Sequence, residues 1–186
     1  EELWANPLLL QPQMQRKELD KLRKGWDLLL DVDCVFIEYS KIAADLIVKE
    51  LKRHGVTSVT AKFSGNKGFH IAVPWEAFPN SVMGKEMKDL FPEAPKRIAH
   101  YIKERIKKKL GSAILEKEGS FKFIAEKTGR KIPEITVVSE NATGARQDVE
   151  LNAEPFLVID TLLISSRHMY RMPYSLHEKS GLASVP

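Results

Sequence analysis

The chain has 186 residues, 43% of them hydrophobic and 29% charged, with a net charge of +4; this suits one soluble globular domain with a real core. The isoelectric point of about 9.1 admits nucleic-acid or nucleotide partners without requiring them. A single cysteine, Cys34, excludes an internal disulfide framework and a cysteine-type zinc site and fits a reducing, cytoplasmic setting. No apolar run approaches the roughly 18 residues of a membrane span, and Glu1-Glu2-Leu3-Trp4 lacks the basic start and apolar stretch of a signal peptide.

Residues 1 to 11 read as irregular. Met14 to Lys24 has the pattern of a polar helix with Leu19 and Leu22 on one face and Gly25 as its stop. Trp26 to Ile37 then reads as a buried strand interrupted by Asp31 and Asp33. At i and i+2 the two aspartates share a face, roughly 6–7 Å apart at the backbone. Two like charges on an apolar strand are costly to bury unless a cation compensates, and a divalent metal is the usual solution. The competing reading leaves the pair in water at a strand end.

Glu38 to His54 is the clearest helix, with Ile42, Ala43, Leu46, Ile47 and Leu51 on one face and charged residues on the other. Val56 to Phe63 follows as a strand. The order strand, helix, strand is that of a βαβ unit, which sets the Asp31/Asp33 strand beside the strand that leads into the next motif.

That motif is Phe63-Ser64-Gly65-Asn66-Lys67-Gly68-Phe69-His70. Apolar runs on both sides make it the loop of a hairpin, with Phe69 to Val73 as the returning strand. The two glycines allow close backbone approach to a ligand, Lys67 adds charge and His70 a donor. Together they describe a site for an anion, most plausibly a phosphate. The spacing is not that of a P-loop. A plain hairpin with an incidental lysine is the alternative.

Lys85 to Leu90 reads as a short helix and Ala94 to Leu110 as a longer one, with an apolar stripe of Ile98, Ile102, Ile106 and Leu110. Its other side is basic, including Lys103, Arg105, Lys107, Lys108 and Lys109. This is either a phosphate-backbone contact surface or, as charge runs usually are, a solvated face. Residues 111 to 131 are helical in part, broken at Gly119 and Gly129. Glu134 to Val138 reads as a strand and Ser139 to Asp148 as a loop. Phe156 to Asp160 is a short apolar strand ending on a carboxylate. With Asp31 and Asp33 it makes three carboxylates from two strands, the set that a pair of Mg²⁺ ions needs for in-line phosphoryl or nucleotidyl transfer. Arg167 to Gly181 gathers Arg, His, Tyr, Ser and Lys around Pro173. In it Arg171 and His177 are suited to holding triphosphate oxygens.

These residues resemble the catalytic subunits of archaeo-eukaryotic primases and the related primase-polymerases. Four motifs carry the resemblance, in the family's order: Leu30-Asp31-Val32-Asp33, Ser64-Gly65-Asn66-Lys67-Gly68-Phe69-His70, Val158-Ile159-Asp160, and the run from Arg171 through Ser175-Leu176-His177 to Lys179-Ser180-Gly181. The resemblance implies a mixed α/β (α+β) primase core, an RRM-like unit packed on a second α/β unit. In it residues 26–75 and 134–186 form the active-site core and 79–133 a mainly helical insert of one catalytic domain. It implies that Asp31, Asp33 and Asp160 are the catalytic, metal-binding carboxylates for two Mg²⁺ or Mn²⁺ ions. Ser64, Gly65, Asn66, Lys67 and His70 bind the incoming nucleotide, with Arg171 and His177 completing the pocket. The implied partners are a single-stranded DNA template, nucleoside triphosphates and a primase large subunit.

The chain departs from the family's pattern in two ways. Asn66-Lys67 stands where Arg-Arg is frequent, which removes the guanidinium fork. No cysteine lies between the second and third motifs, so no structural zinc is expected. The implied reaction is primer synthesis by two-metal nucleotidyl transfer. A primer-extending repair polymerase, like the polymerase domain of bacterial end-joining ligases, shares the first two motifs. A glycosyltransferase with a metal-binding Asp-x-Asp and a non-catalytic nucleic-acid-binding module are the more distant alternatives.

Overall fold

The computed structural model describes residues 2–4, 6–140, 147–159 and 170–186. Asp160, residues 141–146, part of the stretch expected as a loop, and residues 161–169, including Arg167, lie outside the described residues. In chain order the strands are β1 (Glu2–Trp4), β2 (Arg23–Trp26), β3 (Leu28–Cys34), β4 (Thr60–Phe63), β5 (Phe69–Val73), β6 (Ser81–Val82), β7 (Lys85–Glu86), β8 (Thr136–Glu140), β9 (Gln147–Leu151) and β10 (Leu157–Ile159). The helices are α1 (Arg16–Leu22), α2 (Ile37–Arg53), α3 (Glu93–Glu118) and α4 (Phe121–Thr128). Among the described residues no helix is long and apolar enough to cross a membrane.

The protein is an α+β fold with antiparallel sheets. Its central sheet has four strands in the order β10-β3-β5-β4, with every neighbouring pair antiparallel. With α2 between β3 and β4, and α3 between β5 and β10, the topology is a split β-α-β-β-α-β. This corrects the expected neighbourhood of the first two motifs. The strand beside β3 is β5, which leaves the glycine loop, and not β4, which enters it. The reason lies in the hairpin: β4 and β5 pair through a short loop, and β5 slots in beside β3.

Strand β3 alternates. Leu28, Leu30, Val32 and Cys34 are buried, whereas Leu29 and Asp31 are half-buried and Asp33 is exposed. The apolar side joins Ile71 and Val73 of β5 under α2 and α3. From α2 the buried residues are Tyr39, Ser40, Ala43, Ala44, Ile47, Glu50 and Leu51. From α3 they include Ala99, Ile102, Ile106, Leu110 and Ile114. Both helices cover one face of the sheet, and among the described residues no helix covers the aspartate face.

Several local expectations differ. Gly25 does not stop α1 but lies inside β2, which pairs with β1, so residues 2–4 of the stretch expected as irregular form a strand. A side chain at Gly25 would collide with the Trp75 indole. Of residues 85–90, expected as a short helix, Lys85–Glu86 form β7 and Met87–Leu90 a short 3-10 helix. Helix α3 runs on past Leu110 to Glu118, in keeping with the partly helical reading of residues 111–131, and Gly111 within it lets β9 approach with the Leu151 carbonyl against the helix. It ends at Gly119 and α4 at Gly129, both left-handed. Residues 139, 140, 147 and 148, expected as loop, pair in the β8–β9 ribbon.

Candidate functional site

The register of the central sheet assembles the site. Asp31 on β3 stands opposite His70 on β5, and His70 stands opposite Lys62 on β4. Period-two alternation puts all three on the face away from the helices. Asp33 shares that face, two residues along β3. Strand β10 flanks the other side, with Val158 opposite Asp33. The first two motifs, far apart in sequence, are thus one row across three strands.

The glycine loop is closed by its own serine. Ser64 N–H donates to the Gly68 carbonyl at 2.9 Å, and Gly68 N–H donates to Ser64 Oγ at 3.2 Å. Gly65 has φ of +92°, a conformation that side chains resist. A Cβ there would come 2.9 Å from the Cβ of His177 and 3.1 Å from the Leu182 carbonyl. At Gly68 a methyl group would overlap the Asp33 carboxylate and the Val32 carbonyl. Glycine at this position is what lets the loop lie directly on the first carboxylate motif. Asn66 and Lys67 are exposed at the loop tip.

The fourth motif packs against the same loop. Residues 174–185 fold into a narrow hairpin closed by Tyr174 N–H to Ser184 O at 2.6 Å and Ser184 N–H to Ser175 O at 2.9 Å. The hairpin docks on the β4 edge, where Phe63 N–H donates to the Val185 carbonyl at 2.7 Å. Ser180 Oγ donates to the Gly65 carbonyl. His177 packs on Gly65 and accepts at Nδ1 from the backbone N–H groups of Lys179 and Ser180, at 3.2 and 3.3 Å. Its Nε2 therefore carries the proton when the ring is neutral. Arg171 donates to the Leu176 carbonyl at 2.9 Å and to Glu178 at 2.7 Å.

Electrostatically the site is crowded with cations. His70 is pushed down to about 4 by burial first and then by the charges of Lys62 and Arg171. Lys62 is lowered by burial first and then by Arg171, with Asp31 acting in the opposite direction. Lys62 donates to His70 Nδ1 at 2.9 Å and to Ser184 Oγ at 2.8 Å, and lies 4.5 Å from the centre of the Tyr170 ring. His70 Nε2 lies 3.5 Å from Asp31 Oδ1.

Asp31, Asp33, Ser64, Gly65, Asn66, Lys67, His70, Arg171 and His177 are therefore gathered on or beside one end of one sheet face, while Asp160 lies outside the described residues. Among the described residues no three His, Cys, Asp or Glu side chains come together as a metal cluster. Asp31 and Asp33 nevertheless fit a hard divalent ion. They are two oxygen donors on one strand face beside a loop suited to phosphate, and Mg²⁺ is commonly held by one or two carboxylates together with substrate phosphates.

Lys62, Tyr170 and Ser184 were not anticipated. Lys62 could have been found by counting. If Ser64 and Gly68 close the loop, 63 faces 69 and 62 faces 70, which aims the lysine at the histidine. Ser184 and Tyr170 carry no such signal, because their contacts are tertiary.

The basic side of α3 lies across the sheet from this site, and much of it is paired. Lys107 meets Glu104 at 2.5 Å, Lys108 meets Glu150 at 2.6 Å, Arg105 meets Glu50 at 3.2 Å and Lys103 meets Glu154 at 3.8 Å. No protein-family model, curated protein or solved structure matches this chain.

Proposed function

We propose that this protein is a template-directed nucleotidyltransferase of the primase type. It would join nucleotides from nucleoside triphosphates on a single-stranded DNA template. The observation that carries the reading is the register between β3 and β5, which sets Asp31 opposite His70 and lays Gly68 on the Asp33 carboxylate. A carboxylate pair for a cation and a glycine loop for an anion thus share one surface, as a metal-nucleotide complex requires. The split β-α-β-β-α-β sheet is the arrangement that the RRM-like unit of the resemblance calls for, which adds support.

In this reading Asp31 and Asp33, with Asp160, hold Mg²⁺ or Mn²⁺. The metals supply charge neutralisation and activation of the attacking 3′-hydroxyl. The chain's own groups bind and orient the triphosphate. Ser64 shapes the loop, Gly65 to Lys67 present backbone N–H groups and an ammonium, and His70 offers a neutral donor. Arg171 and His177 bring positive charge and a further N–H from the docked hairpin. These cations offset charge that builds on the leaving pyrophosphate.

Calorimetric titration of ATP and dATP with Mg²⁺ or Mn²⁺ into the protein tests this. Binding is expected in the wild type and to be lost with metal chelation and in Asp31→Ala/Asp33→Ala. Equal binding of a nucleotide sugar, with its release as free sugar, would instead support the glycosyltransferase reading.

A further inference from the structure

Lys62 is an ammonium on the buried side of the site, 6% exposed. An ammonium has three N–H donors and no acceptor. Two of them are spent on His70 Nδ1 and Ser184 Oγ, and the charge lies over the Tyr170 ring. Ser184 Oγ passes its own proton on to the Phe63 carbonyl at 2.7 Å, so it is oriented to accept from Lys62. Two of the three donors of this lysine are thus held inside the protein, one of them by the His70 ring. Its ligand is the histidine.

We infer that Lys62 is a positioning residue that holds His70 as the Nε2–H tautomer, so that the proton-bearing nitrogen faces the Asp31 side of the site as a donor for the nucleotide. The geometry dictates the tautomer. A donor-only group 2.9 Å from Nδ1 requires a lone pair there, so the ring proton of neutral His70 sits on Nε2, 3.5 Å from Asp31 Oδ1. Without the ammonium the Nδ1–H form becomes accessible to the neutral ring, and every ring in that form would present a lone pair where a donor is needed. The role in nucleotide binding rests on the function proposed above. The tautomer does not.

The test uses the full chain, labelled with ¹⁵N, and long-range proton–nitrogen correlation of the histidine rings at slightly basic pH, with His70→Gln to assign the signal. Wild type is expected to show a pyridine-type Nδ1 and a pyrrole-type Nε2. An Nδ1–H tautomer in wild type would overturn the inference before any variant is made. Lys62→Met is expected to mix the tautomers and to weaken Mg²⁺–ATP binding about tenfold, the loss of roughly one hydrogen bond. Lys62→Arg, which keeps a donor, is expected to restore both in large part and guards against Lys62→Met failing to fold. An unchanged ring spectrum in either Lys62→Met or Lys62→Ala would contradict the role. If the tautomer shifts but ATP binding does not, His70→Gln separates the two failures. Weakened binding there leaves the site reading intact and overturns the part given to Lys62. Unweakened binding overturns the nucleotide reading of His70 itself.

Discussion

The two faces of the central sheet handle buried charge in opposite ways. On the helix side, Glu50 is 3% exposed and is met by Arg53 at 2.7 Å and Arg105 at 3.2 Å. One carboxylate between two guanidiniums is charge-complementary, and Arg53 above all holds it down at about 2. Glu118, Tyr39 and Lys127 form a second closed set, with the lysine over two aromatic rings. On the open side, burial first and then the charge of Arg171 lower the proton affinity of Lys62, and burial followed by Lys62 and Arg171 lowers that of His70, while Asp31 and Asp33 lie on one strand. The first pattern ties α2 to α3 and is complete. The second keeps like charges together at a structural cost, and that is the pattern of a surface arranged around charged ligands.

The contrast predicts that removing carboxylates from the open face changes chemistry and spares stability, and that removing one from the helix side does the reverse. The largest effect is expected from Asp31→Ala/Asp33→Ala. Nucleotide incorporation should fall on the order of 10³-fold or more, with thermal unfolding unchanged or slightly improved by relief of repulsion. A large loss of melting temperature would break the comparison by making the pair structural.

Next comes Gly68→Ala. The added methyl must push the loop off Asp33, so about 1–3 kcal/mol of stability and most nucleotide binding should go together. Denaturant unfolding and calorimetry would read the two losses. If the variant binds nucleotide normally, the loop and the carboxylates are not one site.

Glu50→Gln should cost about 2 kcal/mol by removing a charged hydrogen-bond acceptor from two arginines, without altering nucleotide binding. It also has a pH dependence. Because the folded carboxyl sits near 2 rather than 4.5, the fold favours the charged form, and its contribution is present above 4.5 and lost as pH falls towards 2. The variant should lose that part of the acid sensitivity. His70 acts in a different window. Its folded value near 4, against 6.5, means that the unfolded chain takes up the proton first, so stability falls as pH drops from 6.5 to 4. His70→Gln should flatten that window and leave the lower one alone. Urea midpoints across both windows would show whether the two clusters titrate independently.

The smallest effect is expected from reversing Lys107 and Lys108. Both are already paired with glutamates on the far side of the sheet, so single-stranded DNA binding should change less than about threefold. A loss of tenfold or more would move the template path to α3.

The sequence made some of this readable and hid the rest. The alternation through Leu30-Asp31-Val32-Asp33 and the glycine spacing of 64–70 are local patterns, and strands β3 and β5 follow them closely. Helix α2 was legible from its apolar face. Glu50 was not, because a glutamate on a buried face is made tolerable by Arg105, which lies on another helix. The strand order was misread because a βαβ pattern does not reveal that the hairpin partner β5 inserts next to β3. The helical reading of residues 111 to 131 and its breaks at Gly119 and Gly129 matched α3 and α4, but the contact of Gly111 with β9 was not legible, because it is tertiary. Ser184, placed near the end of the chain, reaches Lys62 only through the docking of the C-terminal hairpin on β4.

The most direct measurement is incorporation of labelled nucleotides on single-stranded DNA with Mg²⁺ or Mn²⁺, with and without a primer, comparing wild type with Asp31→Ala/Asp33→Ala. The account predicts template-dependent products from the wild type alone: short chains without a primer if the protein primes, extended primers if it acts in repair. A folded wild type that makes neither product and binds no triphosphate in the presence of either metal would contradict it.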